Sequence, residues 1–193
     1  MRPRKPKKPP TVGWRALRHV CPWLTPQQAK TIASGLGLAM KRYGIMSPNR
    51  AAMFVAQCAH ESAGFRTSTE YASGDAYEGR RDLGNARRGD GRRFKGRGRI
   101  MITGRVNYTR VSRSMKQNFV ARPERLASPP WSELASAWWW YNAGLNALVD
   151  RYDDGDERLR ACTRRINGGY TGLADRRHYH RRALRVKRWL VPR

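Results

Sequence analysis

Apolar residues recur with a helical period along most of this chain. After Pro48 they return every three or four positions as far as Cys58, which predicts a helix with one buried face. Similar spacing predicts a helix over 26–43, a helical segment after Pro130, and a basic helix over 176–193. The pattern therefore indicates a mainly α fold.

Two carboxylates lie close together near the end of the helix that follows Pro48. Glu61 comes seven residues after Phe54, so at about 100° per residue it returns to the same apolar face. Desolvation at such a place favours the protonated form of a carboxyl group, as a general acid requires. Gly64 is expected to end the helix, and the chain then supplies Glu70. Two carboxylates in unlike environments suit glycoside hydrolysis, although a solvated helix glutamate and a loop carboxylate would give the same sequence.

Seven blocks of sequence support the first interpretation. They occur in order between about residues 26 and 188, at 60–65, 76–85, 89–98, 102–105, 107–108, 166–169 and 172–176. Together these blocks resemble glycoside hydrolase family 19, and the compact bacteriophage endolysin type of that family more than the longer plant chitinases. The resemblance implies a mainly α, lysozyme-like domain with a substrate cleft and at most a small β hairpin. It also implies cleavage of peptidoglycan glycan strands.

The resemblance further implies a mechanism and a set of site residues. Hydrolysis would proceed with inversion at the anomeric carbon, with Glu61 as the general acid. Glu70 is the favoured base, and Glu78 is its rival. The candidate substrate-binding residues are His60, Thr103, Asn107, Asn167 and Arg176. No cofactor is implied.

One position departs from the family pattern. Relatives usually carry Gln two residues before the Thr or Ser that matches Thr103, whereas this chain has Met101. A methionine lacks the amide donor and acceptor, so we expect an altered sugar preference in that subsite.

His60 and Glu61 also begin the pattern of a common zinc motif. That motif needs a second histidine four residues after the first, and this position is Gly64. The three cysteines have no Cys-x-x-Cys spacing. No metal site is therefore expected.

The charge of the chain is extreme. Its 193 residues include 40 Lys and Arg against 14 Asp and Glu, for a net charge of +26. This excess is dense in 80–99 and 176–193 and favours polyanionic partners. No nucleic-acid-binding motif is visible, so no specific nucleic acid is expected. The expected partners are peptidoglycan strands and, through the basic surface, anionic envelope polymers or lipopolysaccharide.

The length fits one domain with a tail. Residues 1–12 are basic and proline-rich and are predicted to be disordered, and 13–193 are predicted to form a single, monomeric catalytic domain. The sequence has neither a signal-peptide pattern nor a membrane-length apolar run. We therefore expect the protein to stay in the host cytoplasm until a separate holin-like protein releases it to the cell wall or periplasm. The alternatives are a chitinase that acts on N-acetylglucosamine polymers and a non-enzymatic cationic protein that binds envelopes or nucleic acid.

Overall fold

Residues 9–193 are described by a computed structural model of the protein, in which helices occupy most of the chain. The helices are α1 (Trp14–Val20), α2 (Pro26–Arg42), α3 (Pro48–Glu61), α4 (Asp90–Arg93), α5 (Arg105–Met115), α6 (Trp131–Asn142), α7 (Leu145–Arg151), α8 (Gly155–Asn167), α9 (Leu173–Arg185) and α10 (Lys187–Leu190). Short 3₁₀ turns lie at Asp75–Tyr77, Arg81–Leu83 and Pro123–Ala127. Within residues 9–193, β pairing is limited to two isolated bridges, which join Arg97 to Thr69 and to Ile102. The prediction of a mainly α fold is confirmed.

Helix α3 forms the centre of the core. It begins where the sequence predicted, and the hydroxyl of Ser47 caps it by accepting from the amide of Arg50 (3.2 Å). All residues from 51 to 59 are buried, so α3 is surrounded and does not bury only one face as predicted. Its most extensive neighbour is α9, and Phe54 meets Trp140 of α6 edge to face with ring centroids 5.3 Å apart. The end of α3 is thereby fixed on several sides.

Helix α2 packs between α1 and α6. Thr25 and Gln28 cap it reciprocally, each side chain accepting from the other's main-chain amide. Gly35 faces α6, where a Cβ atom would lie 2.7 Å from the Oε2 atom of Glu133. A glycine that is unfavourable for helix propensity therefore makes room for a buried glutamate.

The two ends of the described chain lie together. The predicted basic helix over 176–193 is divided into α9 and α10 by a break at Val186. Residues 1–8 of the predicted tail lie outside the described residues. Thr11 exchanges two backbone hydrogen bonds with Arg193 (3.2 and 3.1 Å), and Val12 is buried. The packed domain therefore includes Thr11 and Val12, on the tail side of the boundary predicted at residue 13.

The glycine- and arginine-rich segment over 89–98 is held by charged side chains within it and at the start of α5. Arg105 donates to the buried Asp90 (Nε to Oδ2, 2.8 Å), and this contact lowers the pKa of Asp90. Arg97 donates to the hydroxyl of Tyr108 (2.9 Å). Arg97 within this segment and Arg105 at the start of α5 therefore both stabilise the loop.

No helix in the range 9–193 combines the length and the apolar character needed to cross a bilayer.

Candidate active site

The chain reverses direction directly after Glu61, the last residue of α3. The hydroxyl of Ser62 donates to a main-chain carbonyl of α3 (2.6 Å) and accepts from the amide of Phe65 (3.1 Å). Ala63, Gly64 and Phe65 have φ angles of 49°, 70° and 62°. Residues other than glycine rarely adopt such φ angles, which cost about 1 kcal/mol or more for each residue. The surrounding structure therefore imposes this turn beside the carboxylate.

A buried ion pair fixes the segment that leads from Glu61 to Glu70. Arg99 donates to Glu133 of α6 (2.9 Å) and to the carbonyl oxygens of Phe65 (3.3 Å) and Thr67 (3.1 Å). Both charged side chains are almost completely buried. Loss of either charge would leave the other uncompensated in the interior, which is strongly destabilising. The pair therefore positions the connection between the two candidate carboxylates.

Glu70 is held by donors on both oxygens. The hydroxyl of Tyr77 donates to Oε1 (2.8 Å), and the amide of Gly96 donates to Oε2 (2.9 Å). Burial, together with the hydrogen bond to Glu70, raises the pKa of Tyr77 to about 12. The phenol therefore keeps its proton at neutral pH and donates it in a hydrogen bond. These two donors hold both oxygens of Glu70 and fix the orientation of its carboxyl group.

Glu61 has a different partner. Its Oε1 atom accepts from the guanidinium of Arg176 on α9 at 2.5 Å, and Arg176 also donates to Gln57, one turn earlier on α3. The Arg176 side chain is 2% exposed and that of Glu61 is 20% exposed. The sequence predicted an apolar face around Glu61, whereas the structure places a buried cation directly beside the carboxylate. Among the described residues, none donates a hydrogen bond to the Oε2 atom of Glu61.

Both carboxylates line one open cleft of about 410 Å³. The other lining residues come from the loop after α3, the segment before α5 and the end of α8, and they are Tyr77, Ile100, Met101, Thr103, Ile166 and Asn167. The structure thus brings together four of the predicted site residues, namely Glu61, Glu70, Thr103 and Asn167. Met101 also lines this cleft, where it presents an apolar thioether in place of an amide.

Other predicted site residues lie outside the cleft lining. Arg176 lies behind Glu61, and Asn107 donates to the carbonyl oxygen of Thr103 (2.8 Å) from the first turn of α5. His60 pairs through Nδ1 with Asp175 of α9 (2.6 Å). A Cβ atom at Gly172, whose φ is 74°, would come within 2.3 Å of the imidazole ring of His60, so the approach of α9 requires a glycine there.

Glu78 makes structural contacts. Its two oxygens accept from the amides of Gly89 (2.6 Å) and Gly91 (2.8 Å), and it is absent from the cleft lining. Within residues 9–193, no three His, Cys, Asp or Glu side chains converge as metal ligands would.

Four residues of the site were not predicted. Gln57, Arg99 and Glu133 are buried polar residues on elements that the sequence indicated only as helix or loop, and their partners are distant in sequence. Tyr77 lies inside one of the blocks that carried the family resemblance, immediately before Glu78. Its place beside the candidate Glu78 was the only available signal.

Comparison with known proteins identifies the family. Residues 34–147 match the family model for glycoside hydrolase family 19, described as chitinase class I. A glycosyl hydrolase family 19 domain-containing protein of Haemophilus influenzae is 26% identical over 183 residues, covering 78% of this chain and 86% of that protein. An endochitinase of Arabidopsis thaliana is 27% identical over 126 residues, covering 65% of this chain and 41% of that protein.

Solved structures show the same fold. A bacterial family 19 chitinase superimposes with a TM-score of 0.67 at 17% identity, over 91% of this chain and 94% of that one. A class IV chitinase from Zea mays gives a TM-score of 0.63 at 22% identity, over 80% of each chain. Because the family model matches more than half of the chain and the helical fold agrees, this protein belongs to glycoside hydrolase family 19.

Proposed function

We propose that this protein is an endolysin-type glycosidase that hydrolyses β-1,4 bonds of bacterial peptidoglycan by inversion, with Glu61 as the acid and Glu70 as the base. One observation carries the proposal: two carboxylates line the same cleft and are held by different kinds of donor. An inverting glycosidase needs two carboxyl groups on one cleft, because one group must give a proton while the other accepts one.

Glu70 suits the role of base. Hydrogen bonds from Tyr77 and from the amide of Gly96 hold its two oxygens and orient the carboxylate. It can take a proton from a water molecule as that water attacks the anomeric carbon. Donors that are already in place reduce the reorganisation that the base needs during the reaction.

Glu61 suits the role of acid. Its Oε2 atom can carry the proton to the leaving oxygen, since Arg176 bonds only to Oε1. Once the proton has left, a full negative charge develops on Glu61. The buried guanidinium of Arg176 stabilises that charge and so favours proton donation in the transition state.

The charge of the protein supports peptidoglycan as the substrate. Chitin is uncharged, whereas peptidoglycan carries carboxylates on its peptides. A net charge of +26 raises the local concentration of an anionic polymer and the rate of encounter with it. The same charge would accumulate the enzyme on anionic envelope polymers or lipopolysaccharide.

A chitinase is the second candidate. It is favoured by the relatives and the superimposed structures, because the Arabidopsis relative is named an endochitinase and the structures are those of chitinases. The two candidates share the chemistry and differ in the polymer.

Mass spectrometry of the products from purified peptidoglycan and from N-acetylglucosamine oligomers tests the proposal. Wild type should release new reducing ends from peptidoglycan, and Glu61→Gln and Glu70→Gln should each lower the rate by 10²-fold or more. Glu124→Gln, at an exposed glutamate of the 3₁₀ turn before α6, is the matched control. Activity on the oligomers alone would assign a chitinase. If wild type and all variants are folded but wild type cleaves neither peptidoglycan nor the oligomers, the glycosidase mechanism is refuted.

A further inference from the structure

A second groove is lined by one side of α8, by the end of α7 and by Tyr170. Its volume is about 620 Å³. The charged residues that line it are four arginines and one glutamate, namely Arg151, Arg160, Arg164, Arg165 and Glu157. We call this surface the arginine groove.

Three of these arginines are available to a ligand. Arg151, Arg160 and Arg164 are exposed, and none of them forms an ion pair with any residue in the range 9–193. The guanidinium of Arg160 lies over the ring of Tyr170, 4.8 Å from its centroid, which orients the group and leaves its N–H edge free. Arg165 is already bound, since it donates to a carbonyl oxygen of the α6–α7 turn (3.0 Å).

The arginine groove and the catalytic cleft are both lined by residues at the end of α8. Ile166 and Asn167 line the cleft, and their chain neighbours Arg165 and Gly168 line the groove. The end of α8 therefore links the surface proposed for the sugar backbone to a surface that could take a side branch of the polymer.

We propose that the arginine groove binds the free carboxylates of the stem peptides on a peptidoglycan strand whose sugars occupy the cleft. This inference rests on the proposed function and adds a recognition element to it. Guanidinium groups bind carboxylates through two parallel hydrogen bonds, and the peptides carry carboxylates on side chains and at their C-termini. Chitin offers no such group. A nucleic acid offers phosphates but no β-1,4 glycosidic bond for the two carboxylates of the cleft.

The test compares intact peptidoglycan with the same glycan strands after an amidase has removed the peptides. The groove variant is Arg151→Gln/Arg160→Gln/Arg164→Gln. The control is Arg110→Gln/Arg113→Gln/Arg122→Gln, which removes the same charge from exposed arginines on and after α5. On intact peptidoglycan, kcat/KM of the groove variant should fall about 10- to 100-fold, mainly through KM, and that of the control less than 3-fold. On stripped strands both variants should stay within 3-fold of wild type.

Salt and binding provide independent readouts. Wild type should prefer intact over stripped strands at 0.05 M NaCl and lose that preference at about 0.5 M, because salt screens exposed charges. Co-sedimentation with intact peptidoglycan should show the same loss of binding for the groove variant.

Three results would overturn the inference. They are equal losses on intact and stripped strands, equal losses for the groove and control variants, and a larger loss of duplex DNA binding than of peptidoglycan binding. If wild type cleaves peptidoglycan and the groove variant matches it, this inference fails while the proposed function stands. If wild type cleaves neither intact nor stripped strands, the proposed function fails. Co-sedimentation with intact peptidoglycan then still decides whether the groove recognises the peptides.

Discussion

Replacing Glu61 by Gln should weaken the fold as well as the chemistry. The carboxylate of Glu61 compensates the guanidinium of Arg176, whose side chain is 2% exposed on the inner face of α9. Removing one partner of a buried pair costs about 3–5 kcal/mol. The glutamine still accepts a hydrogen bond, and Glu61 is partly exposed, so we expect a smaller loss of about 2 kcal/mol. For a chain of this length that loss corresponds to a fall in Tm of about 4–8 °C.

Urea denaturation followed by circular dichroism measures this loss, and a double-mutant cycle assigns it. Arg176→Met should be destabilising alone, because it removes the donor to Gln57 and to Glu61. The double variant Glu61→Gln/Arg176→Met should be at least as stable as Glu61→Gln, because it no longer buries an uncompensated charge. Glu124→Gln is again the control. A Glu61→Gln protein that unfolds at the wild-type urea concentration would refute the reasoning.

Three further results are expected. Glu78→Gln should lower the free energy of unfolding by about 1 kcal/mol, because it weakens the hydrogen bonds from the amides of Gly89 and Gly91. It should leave kcat within 5-fold of wild type. A loss of kcat as large as that of Glu70→Gln would make Glu78 the base. Tyr77→Phe should lower kcat about 10-fold with KM unchanged, because Glu70 loses an orienting donor, whereas a change in KM alone would contradict this role. Burial lowers the pKa of His180 from 6.5 to about 4, so the folded protein favours the neutral ring. The free energy of unfolding should therefore fall as the pH drops from 6.5 to 4, by up to about 3 kcal/mol. Urea denaturation at pH 7 and 4.5 should show that His180→Gln flattens this slope, and an unchanged slope would refute it.

The sequence predicted the part of the site that depends on local structure. A helix ending at Glu61 and a turn at Gly64 follow from apolar spacing and from glycine chemistry, and both occur. The family resemblance then placed Glu70 near Glu61, and the two side chains line one cleft. These features depend on residues within ten positions of one another.

The supports of the site could not be predicted in the same way. Arg99 meets Glu133 across 34 positions, and Arg176 meets Glu61 across 115. Sequence patterns place charged residues on the surface, because burial of a charge is unfavourable unless a partner is present. Only the tertiary fold brings these partners together, so local periodicity carries no signal for either ion pair. The family resemblance named Arg176 as a substrate-binding residue, and the structure places it behind Glu61.

The same distinction changes what the net charge of +26 means. Arg99, Arg105 and Arg176 bind carboxylates inside the domain or beneath the loop, so they contribute structure and little long-range attraction. Arginines such as Arg160 and Arg164 have no carboxylate partner among the described residues and line the arginine groove. An attractive field depends on the second kind alone. Composition favours an anionic partner but gives no place for it, whereas the proposal for the arginine groove names a place. We therefore base the proposed substrate choice on the arginine groove rather than on total charge.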